Sequence, residues 1–296
     1  SGSSNPLDAE LEQILSLQPA KIKVVGCGGA GNNTINRISE VGASGIETIA
    51  INTDAQDLLY AHATTKILIG KEITHGLGAG SVPQVGEEAA RENEHEIRAK
   101  LQGADMVFIT CGLGGGTGSG SVSVVAEQAK KLNALTVAIV TLPFEMEGNR
   151  RYENAMYGLE RLEKTVDTLI VIPNDKLLEL APELPLQTAF KIADEILTNA
   201  VKGIAELVTK AGLVNLDFAD IRTIMAEAGP AIMGIGQATG DTRAVEAAKN
   251  AISSPLLDIS IDGAKGVLFV VAGGDDMALA EINEAAKVIT ASADPQ

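Results

Sequence analysis

Two hydrophobic patterns alternate along much of the chain. Short, almost continuous apolar runs such as 106–111 are typical of strands buried on both faces of a parallel sheet. Longer segments, in which apolar residues recur every three or four positions, separate these runs and are typical of helices with one buried face. The alternation predicts an α/β fold: a Rossmann-like doubly wound parallel sheet with helices on both faces. The predicted strands are 21–25, 46–51, 66–69, 106–111, 135–142 and 169–172.

The predicted helices differ in how much of their circumference is apolar. Segment 87–101 is rich in charged residues, which predicts an exposed helix. Apolar residues surround much of 186–209, which predicts a long central helix buried between two layers. Beyond it, the runs 231–236 and 266–272 predict a smaller α+β domain with a thin sheet of its own. The other predicted helices are 8–18, 122–132, 152–163, 218–226, 242–252 and 278–290.

Composition narrows the range of functions. The 296 residues carry a net charge of −16, which disfavours nucleic-acid binding because that requires a basic surface. Two cysteines are too few for a disulfide framework, and the three histidines do not have the spacing of zinc ligands. No apolar run approaches the roughly 20 residues of a membrane span, and no signal peptide is evident. We therefore expect a cytoplasmic protein without membrane insertion.

The most distinctive stretch is 112–120, where seven of the nine residues of GLGGGTGSG are glycine or threonine. It lies between a predicted buried strand and a predicted helix. Backbone N–H groups can converge on an anion at such a turn, and glycine has no Cβ to hold a ligand away. A tight or flexible connection is the alternative, but flexible linkers rarely join a buried strand to an apolar helix. The stretch is predicted to cradle phosphate groups.

A second glycine-rich loop follows the first predicted strand. Gly26, Gly28 and Gly31 have the spacing of the dinucleotide-binding fingerprint, and Asp54 follows the next strand, where an acid would meet a ribose. A nicotinamide-dependent oxidoreductase is therefore an open alternative. Against it, the first and fourth strands of this fold are usually neighbours, so that the two loops would frame one polyphosphate. An ATPase P-loop is disfavoured because neither loop ends in the required lysine.

Two motifs resemble one family. The run 114–120 resembles the signature of the tubulin/FtsZ family of GTPases, and 215–220 (NLDFAD) resembles the catalytic loop of its archaeal and bacterial FtsZ branch. The resemblance extends from about residue 21 almost to the C-terminus. It implies a GTPase that binds GTP and GDP with Mg²⁺, assembles head to tail with copies of itself into filaments, and forms the cell-division ring at midcell.

The resemblance also implies roles for individual residues. Loops 26–33 and 52–56 resemble the first two nucleotide loops, 76–80 resembles the loop that senses the γ-phosphate, and the glycine-rich stretch would hold the phosphates. Glu147 and Arg151 resemble the family's sugar and phosphate contacts, and Asn174, Phe190 and Asp194 resemble its guanine pocket. In order, these binding residues are Gly28, Gly29, Ala30, Asn33, Asn52, Asp54, Gly80, Gly114, Gly115, Gly116, Thr117, Gly118, Glu147, Arg151, Asn174, Phe190 and Asp194.

The guanine assignment has a physical basis. Phe190 and Asp194 are four residues apart and share a helix face. A carboxylate can accept both the N1–H and the exocyclic N–H of guanine, whereas adenine would leave it unpaired at a cost of about 1–3 kcal/mol. Phe190 could stack on the base. The alternatives are a core role for Phe190 and a pairing of Asp194 with Lys191 or Lys202.

The predicted catalytic residues are Asn215, Asp217 and Asp220. From position alone, Asp217 would cap the following helix and Asp220 would lie in its first turn. The resemblance implies that both acids enter the nucleotide site of the next subunit and orient the attacking water, with Asn215 placing the loop. No metal site built from protein side chains is predicted, because the Mg²⁺ would sit on the phosphates.

These observations predict a nucleotide-binding domain over 21–183, preceded by a helical extension over 1–20. A central helix over 184–211 and a C-terminal activation domain over 212–296 follow. By comparison with the family, we expect this last domain to be truncated and to lack the tail that binds other division-ring proteins. A non-catalytic nucleotide-binding scaffold remains a further alternative, which the two acids disfavour.

Overall fold

The computed structural model describes residues 5–16, 20–42, 45–180, 182–209, 217–254, 267–269, 271, 273–274 and 276–292. Its strands are β1 (Ile22–Cys27), β2 (Ile46–Asn52), β3 (Thr65–Leu68), β4 (Met106–Gly112), β5 (Leu135–Leu142), β6 (Thr168–Pro173) and β7 (Gly229–Ala231). All seven strands are parallel and pair in the order β3-β2-β1-β4-β5-β6-β7. The predicted fold class is confirmed, and so is the adjacency of the first and fourth strands.

Helices cover both faces of the sheet. Those of the first half are α1 (Pro6–Ser16), α2 (Gly28–Val41), α3 (Ala55–Leu59), α4 (Lys71–Thr74), α5 (Pro83–Glu92), α6 (Glu94–Leu101) and α7 (Thr117–Lys131). Those of the second half are α8 (Asn149–Glu163), α9 (Asn174–Leu180), α10 (Leu186–Thr209), α11 (Phe218–Met225), α12 (Arg243–Ile252) and α13 (Leu279–Ser292). No helix within the described ranges is both long enough and apolar enough to cross a bilayer.

Two apolar layers sandwich the sheet because successive side chains of a strand point to opposite faces. On β1, Val25 and Cys27 face a layer formed with α5, α6, α7 and α8. Ile22 and Val24 face the other layer, formed with α2, α10 and α11. Because the strands are parallel, their carboxyl ends all lie at one edge of the sheet, which is where folds of this type bind ligands.

The predicted helix over 87–101 is two helices, interrupted at Asn93, and it is not fully exposed. Ala89, Ala90 and Ile97 are completely buried. The reason is close packing on α7: a Cβ on Gly86 would lie 2.2 Å from the carbonyl oxygen of Gly116. The charged residues of the segment lie on the opposite face and dominate its composition. Asn93 accepts a hydrogen bond from the backbone N–H of Gly70 (2.9 Å), which fixes the break.

The long helix α10 has its predicted bounds, but the described residues bury only one of its faces. Ala193, Leu197 and Val201 pack toward the sheet, whereas Glu195 and Asn199 are exposed. The prediction of a helix enclosed on both sides was therefore wrong for the described part of the chain.

The strand predicted at 231–236 is also different. It forms at Gly229–Ala231 and extends the main sheet beside β6, because Gly229 N–H bonds the Asp167 carbonyl oxygen (2.8 Å) and sets the register. Of the strand predicted at 266–272, residues 267–269 and 271 have no strand structure, and the rest lies outside the described residues. Beyond β7, the described helices are α12 and α13, which pack together and are joined by Arg243 Nε and Glu281 Oε1 at 2.8 Å.

Candidate active site

Two glycine-rich turns meet at the carboxyl edge of the sheet. β1 and β4 are hydrogen-bonded neighbours, so the turns that follow them lie side by side. They are in contact, since a Cβ on Gly28 would lie 3.0 Å from the backbone nitrogen of Gly118. Helices α2 and α7 begin at Gly28 and Thr117, so both helix N-termini open at the same place. Helix N-termini carry partial positive charge and free N–H groups, which suit an anion.

The two turns line a cavity of about 290 Å³. Its lining combines the ends of β1, β2 and β4 with the start of α8. Of the predicted binding residues, the cavity is lined by Gly28, Gly29, Ala30, Asn52, Asp54, Gly115, Gly116, Thr117, Gly118 and Arg151. The cavity is also lined by Cys27, Thr53, Gly78 and Gly112, which lie in the predicted loops without being named as binding residues, and by Asp57, just beyond the second loop. The signal for the first four was the prediction of those loops, and Asp57 lies three residues after the predicted Asp54.

Seven of the 17 predicted binding residues lie outside this lining, among them Asn33, Gly80 and Gly114. Asn33 is exposed, and its neighbour Asn32 is buried instead. Asn32 donates to the carbonyl oxygens of Gly26 (3.1 Å) and Ile51 (3.2 Å) and accepts from Asn52 Nδ2 (3.0 Å), so it ties the first loop to the second strand. Gly80 is exposed and Gly114 lies behind the cavity wall. Their roles remain predictions.

Glycine is required in the cradle for packing as well as for ligand access. Helix α7 begins within the glycine-rich stretch, and a Cβ on Gly120 would lie 2.0 Å from the carbonyl oxygen of Pro83 on α5. Gly114 adopts a φ of 124°, a conformation that side chains with a Cβ rarely adopt. The backbones of α5 and α7 can therefore approach closely enough to hold the loop between them.

Polar side chains stiffen the cavity. Thr53 Oγ1 and Thr117 Oγ1 are 2.6 Å apart, which links the end of β2 to the start of α7. Asp54 caps α3 by accepting from the backbone N–H groups of Gln56 (2.9 Å) and Asp57 (3.1 Å). At the rim, Arg151 Nε lies 2.9 Å from Glu147 Oε1. Arginine held in this way presents a planar set of donors suited to phosphate.

A second cavity of about 340 Å³ adjoins the ends of β5 and β6 and is lined by Phe144 and Asn174, among others. Asn174 is buried, and no described protein group donates to its Oδ1. An unpaired buried acceptor costs about 1–3 kcal/mol, so this position suits a ligand that brings a donor. Phe144 is buried and meets the ring of Phe190, which is 37% exposed.

Asp194 lies on α10, one turn beyond Phe190. Burial raises the pKa of its carboxyl above the usual value; Arg37 on α2 opposes that rise and the adjacent Glu195 adds to it. Arg37 itself pairs with Glu195, with Nη1 and Oε1 at 3.6 Å. The structure thus brings Asn174 to the second cavity and places Phe190 against its aromatic wall, with Asp194 on the same face of α10.

The predicted catalytic acids lie at the other end of the sheet. Asp217 caps α11 and accepts from Ala219 N–H (3.3 Å), and Asp220 is exposed in the first turn. Helix α11 is fixed at the amino ends of β5 and β6: Arg222 Nη2 donates to the Asn133 carbonyl oxygen (3.1 Å), and Thr168 Oγ1 donates to the Met225 carbonyl oxygen (2.7 Å). Asn215 lies outside the described residues.

A buried carboxylate secures this arrangement. Asp167 accepts from Lys130 Nζ (2.7 Å), Thr136 N–H (2.8 Å) and Glu227 N–H (3.1 Å), and so joins α7, β5 and the segment after α11. The eight residues of β5 span about 26 Å. One chain therefore holds its cradle and its two acids about one strand length apart.

Family models match both parts of the chain. The model of the "Tubulin/FtsZ family, GTPase domain" matches residues 21–182, and that of the "FtsZ family, C-terminal domain" matches residues 229–296. Among curated proteins, cell division protein FtsZ 1 of Pyrococcus horikoshii is 60% identical over 98% of this chain and 78% of the relative. Cell division protein FtsZ of Methanothermobacter thermautotrophicus is 56% identical over 100% of this chain and 77% of the relative.

The solved structures agree. An empty FtsZ dimer of M. jannaschii has a TM-score of 0.93 at 55% identity, covering 99% of this chain and 85% of that one. These findings replace the alternatives of a nicotinamide-dependent oxidoreductase and of a non-catalytic scaffold. The chain belongs to the FtsZ branch of the tubulin/FtsZ family and is a cell-division GTPase that binds GTP and GDP.

Proposed function

We propose that GTP is hydrolysed in a site that two copies of the chain complete together as they assemble head to tail. The observation that carries this proposal is the separation of the cradle from Asp217 and Asp220. The two groups lie at opposite edges of one sheet, so the acids of a subunit cannot approach the phosphates bound by the same subunit. In a head-to-tail stack, the acids of one copy meet the cradle of the next.

Within one subunit, we assign the phosphates to the cavity of about 290 Å³ and the guanine to the face of Phe190 and Asp194. Two features support the fit. Both helix N-termini and the glycine backbone offer N–H donors without side chains in the way. Asn174 Oδ1 is buried and lacks a described partner, as expected of a group that awaits a ligand donor.

The chemistry demands positioning and charge neutralisation more than covalent catalysis. We assign Asp217 and Asp220 of the neighbouring copy to orient the attacking water in line with the γ-phosphate, with Asn215 placing their loop. Among the described residues, no three acidic, histidine or cysteine side chains form a metal cluster. Mg²⁺, which neutralises phosphate charge when bound, commonly takes its ligands from phosphates and waters, with at most one or two carboxylates, and Asp54 and Asp57 are the acids that line the cavity.

At the level of the cell, we propose filaments that form the division ring at midcell in the cytoplasm. The relatives are cell division proteins, and a 55% identical relative has been solved as a dimer. We further propose that the chain is organised as an extension over 1–20, a nucleotide-binding domain over 21–183, a central helix over 184–211 and an activation domain over 212–296.

A mixing experiment tests the shared site. Gly29→Glu would place a carboxylate in the phosphate cavity without crowding the protein, because the nearest atom to a Cβ there is Asp57 Oδ2 at 4.0 Å. Asp220→Ala would remove an acid and keep the cavity. Each variant alone should be inactive. An equal mixture should regain up to about a quarter of wild-type turnover, because a random stack joins an intact cavity to intact acids at about one interface in four.

The control is a mixture of Asp220→Ala with the double variant that carries both changes, which should stay inactive. Turnover in the control, or none above the sum of the separate variants in the test mixture, would contradict a site shared between copies. The nucleotide released on denaturing the purified protein should be a guanine nucleotide.

A further inference from the structure

One side chain behind the cavity joins the two loops that border it. Asn154, a half-buried residue on α8, donates from Nδ2 to the carbonyl oxygen of Ser81 (3.0 Å) and to that of Gly114 (3.1 Å). The partners lie 73 and 40 residues away along the chain. A primary amide carries two hydrogens on one nitrogen, so it can serve two acceptors at once. Both partners are carbonyl oxygens, which also fixes the orientation of the amide.

Both bonded carbonyls belong to residues with unusual backbone conformations. Ser81 has a φ of 59° and Gly114 has a φ of 124°. A left-handed non-glycine residue is held only where its surroundings fix it. The loops also touch, because a Cβ on Gly116 would lie 2.7 Å from Val82 N and 3.0 Å from Ala79 Cβ. Asn154 is thus the polar tie between two loops that are already packed against one another.

The tie controls the direction of a cavity donor. In a planar trans peptide the C=O and the following N–H point in opposite directions. Because the Gly114 carbonyl points to α8 and Asn154, the N–H of Gly115 points away from α8, and Gly115 lines the cavity. One turn earlier on the same helix, Arg151 lines the cavity as well. Asn154 therefore fixes the direction of the Gly115 N–H group without itself lining the cavity.

We infer that Asn154 is a positioning residue for GTP hydrolysis, which keeps loop 76–81 and the cradle at 112–118 in one fixed register. The inference rests on the proposed placement of the phosphates in this cavity. Catalysis is more sensitive than binding to small displacements, since an error of about 1 Å in the reacting groups can cost about a hundredfold in rate. The binding energy of the nucleotide, by contrast, is spread over the contacts of the guanine with Phe190 and Asp194 and those of the phosphates with many backbone N–H groups. Loss of the tie should therefore lower kcat more than nucleotide affinity.

The test compares three substitutions at this position with one elsewhere. Asn154→Ala removes the donors, Asn154→Asp keeps the shape but sets a carboxylate against two carbonyl oxygens, and Asn154→Gln keeps both donors one methylene further out. Asn199→Asp on the exposed face of α10 is the control for added charge. GTP turnover is measured at saturating GTP and one protein concentration, and the Kd for GDP is measured separately.

We expect turnover to fall about tenfold in Asn154→Ala, further in Asn154→Asp and least in Asn154→Gln, with the Kd for GDP within about threefold of wild type. Mild acid should raise the activity of Asn154→Asp relative to wild type, because a protonated carboxyl regains one donor. Amide hydrogen exchange should quicken in both 79–82 and 113–116. A milder effect of Asp than of Ala, equal losses for Asp and Gln, or faster exchange in only one loop would overturn the inference. Wild-type protein that did not turn over GTP would contradict the proposed function instead.

Discussion

The rings of Phe144 and Phe190 meet edge to face, with centroids 5.1 Å apart and planes at 88°. Phe144 is buried, and Phe190 keeps 37% of its surface exposed. The buried ring therefore holds the exposed one in place as a wall for a planar ligand. Aromatic pairs of this geometry are worth about 0.5–1.5 kcal/mol beyond their buried area.

Phe190→Ala should weaken binding of GDP about tenfold, because the stacking surface is lost while the cradle stays intact. Titration calorimetry on protein stripped of nucleotide measures the change. Leu186→Ala, an exposed apolar residue one turn earlier on α10, is the matched control and should leave the Kd unchanged. Equal effects of the two substitutions would show that Phe190 does not face the base.

Asp194 should make guanine binding sensitive to pH. Burial is the main influence on this carboxyl and raises its pKa, so the group takes up a proton at a higher pH than an ordinary aspartate does. Only the carboxylate accepts two N–H groups from guanine, so GDP affinity should fall as the pH is lowered toward that raised pKa. Protein stability has the opposite sign: ionisation in the folded state costs free energy as the pH rises through the same range.

Asp194→Asn separates these effects. It should bind GDP more weakly at neutral pH by about 1–3 kcal/mol, because one acceptor has become a donor, and its affinity should no longer vary through this window. Measurement of the Kd from about pH 4.5 to about pH 7.5 in both proteins provides the test. A variant as pH-dependent as the wild type would assign the titration to another group.

Asp220→Ala should retain GDP binding and lose GTP turnover by about a hundredfold or more, because the acid is a sheet length away from the cradle of its own chain. Thr223→Ala, on an exposed turn of α11, is the control and should keep turnover. The specific activity of wild-type protein should rise with protein concentration. Activity that is independent of concentration would contradict completion of the site by a second copy.

Gly120→Ala should destabilise the protein by about 1–3 kcal/mol. Its Cβ would lie 2.0 Å from Pro83 O and 2.5 Å from Glu87 N, both backbone atoms, so α5 and α7 would have to move apart. Gly115→Ala, two residues before α7 begins, is the matched control: no heavy atom lies within 4 Å of its Cβ position. Urea unfolding of nucleotide-free protein should place this control within about 0.5 kcal/mol of wild type. Similar losses in both variants would show that the packing of α5 on α7 is not limiting.

Cys27 should react slowly with alkylating agents. Burial raises its pKa to about 12, partly opposed by a hydrogen bond with Ser121, so little thiolate exists near neutral pH. Because Cys27 also lines the phosphate cavity, GDP should slow its labelling further. Mass spectrometry of native protein with and without GDP, beside a denatured control, measures the rates. Equal labelling with and without GDP would contradict the placement of the nucleotide here.

The sheet and the cradle were predictable because they depend on local patterns. Continuous apolar strands such as 106–111 indicate burial on both faces, and a glycine-rich turn between a strand and a helix indicates an anion site. Features that join distant segments were not predictable. Asn32, rather than Asn33, bonds to Gly26 and Ile51, and nothing in the sequence separates the two neighbours. The pairing of β7 with β6 and the double donation by Asn154 likewise depend on tertiary contacts.

Helix α10 runs along the sheet from its carboxyl edge, and its length bears on the spacing of stacked copies. Its 24 residues are about 36 Å long, with Phe190 near the carboxyl edge of the sheet and its last turn toward the opposite edge. If copies stack head to tail as proposed, every copy presents the same helix between its cradle and its acids, so successive nucleotides would be evenly spaced along the stack. Under that proposal, inserting or deleting whole turns of α10 would change the separation of the cradle from the acids of the same chain, and with it the repeat of the stack.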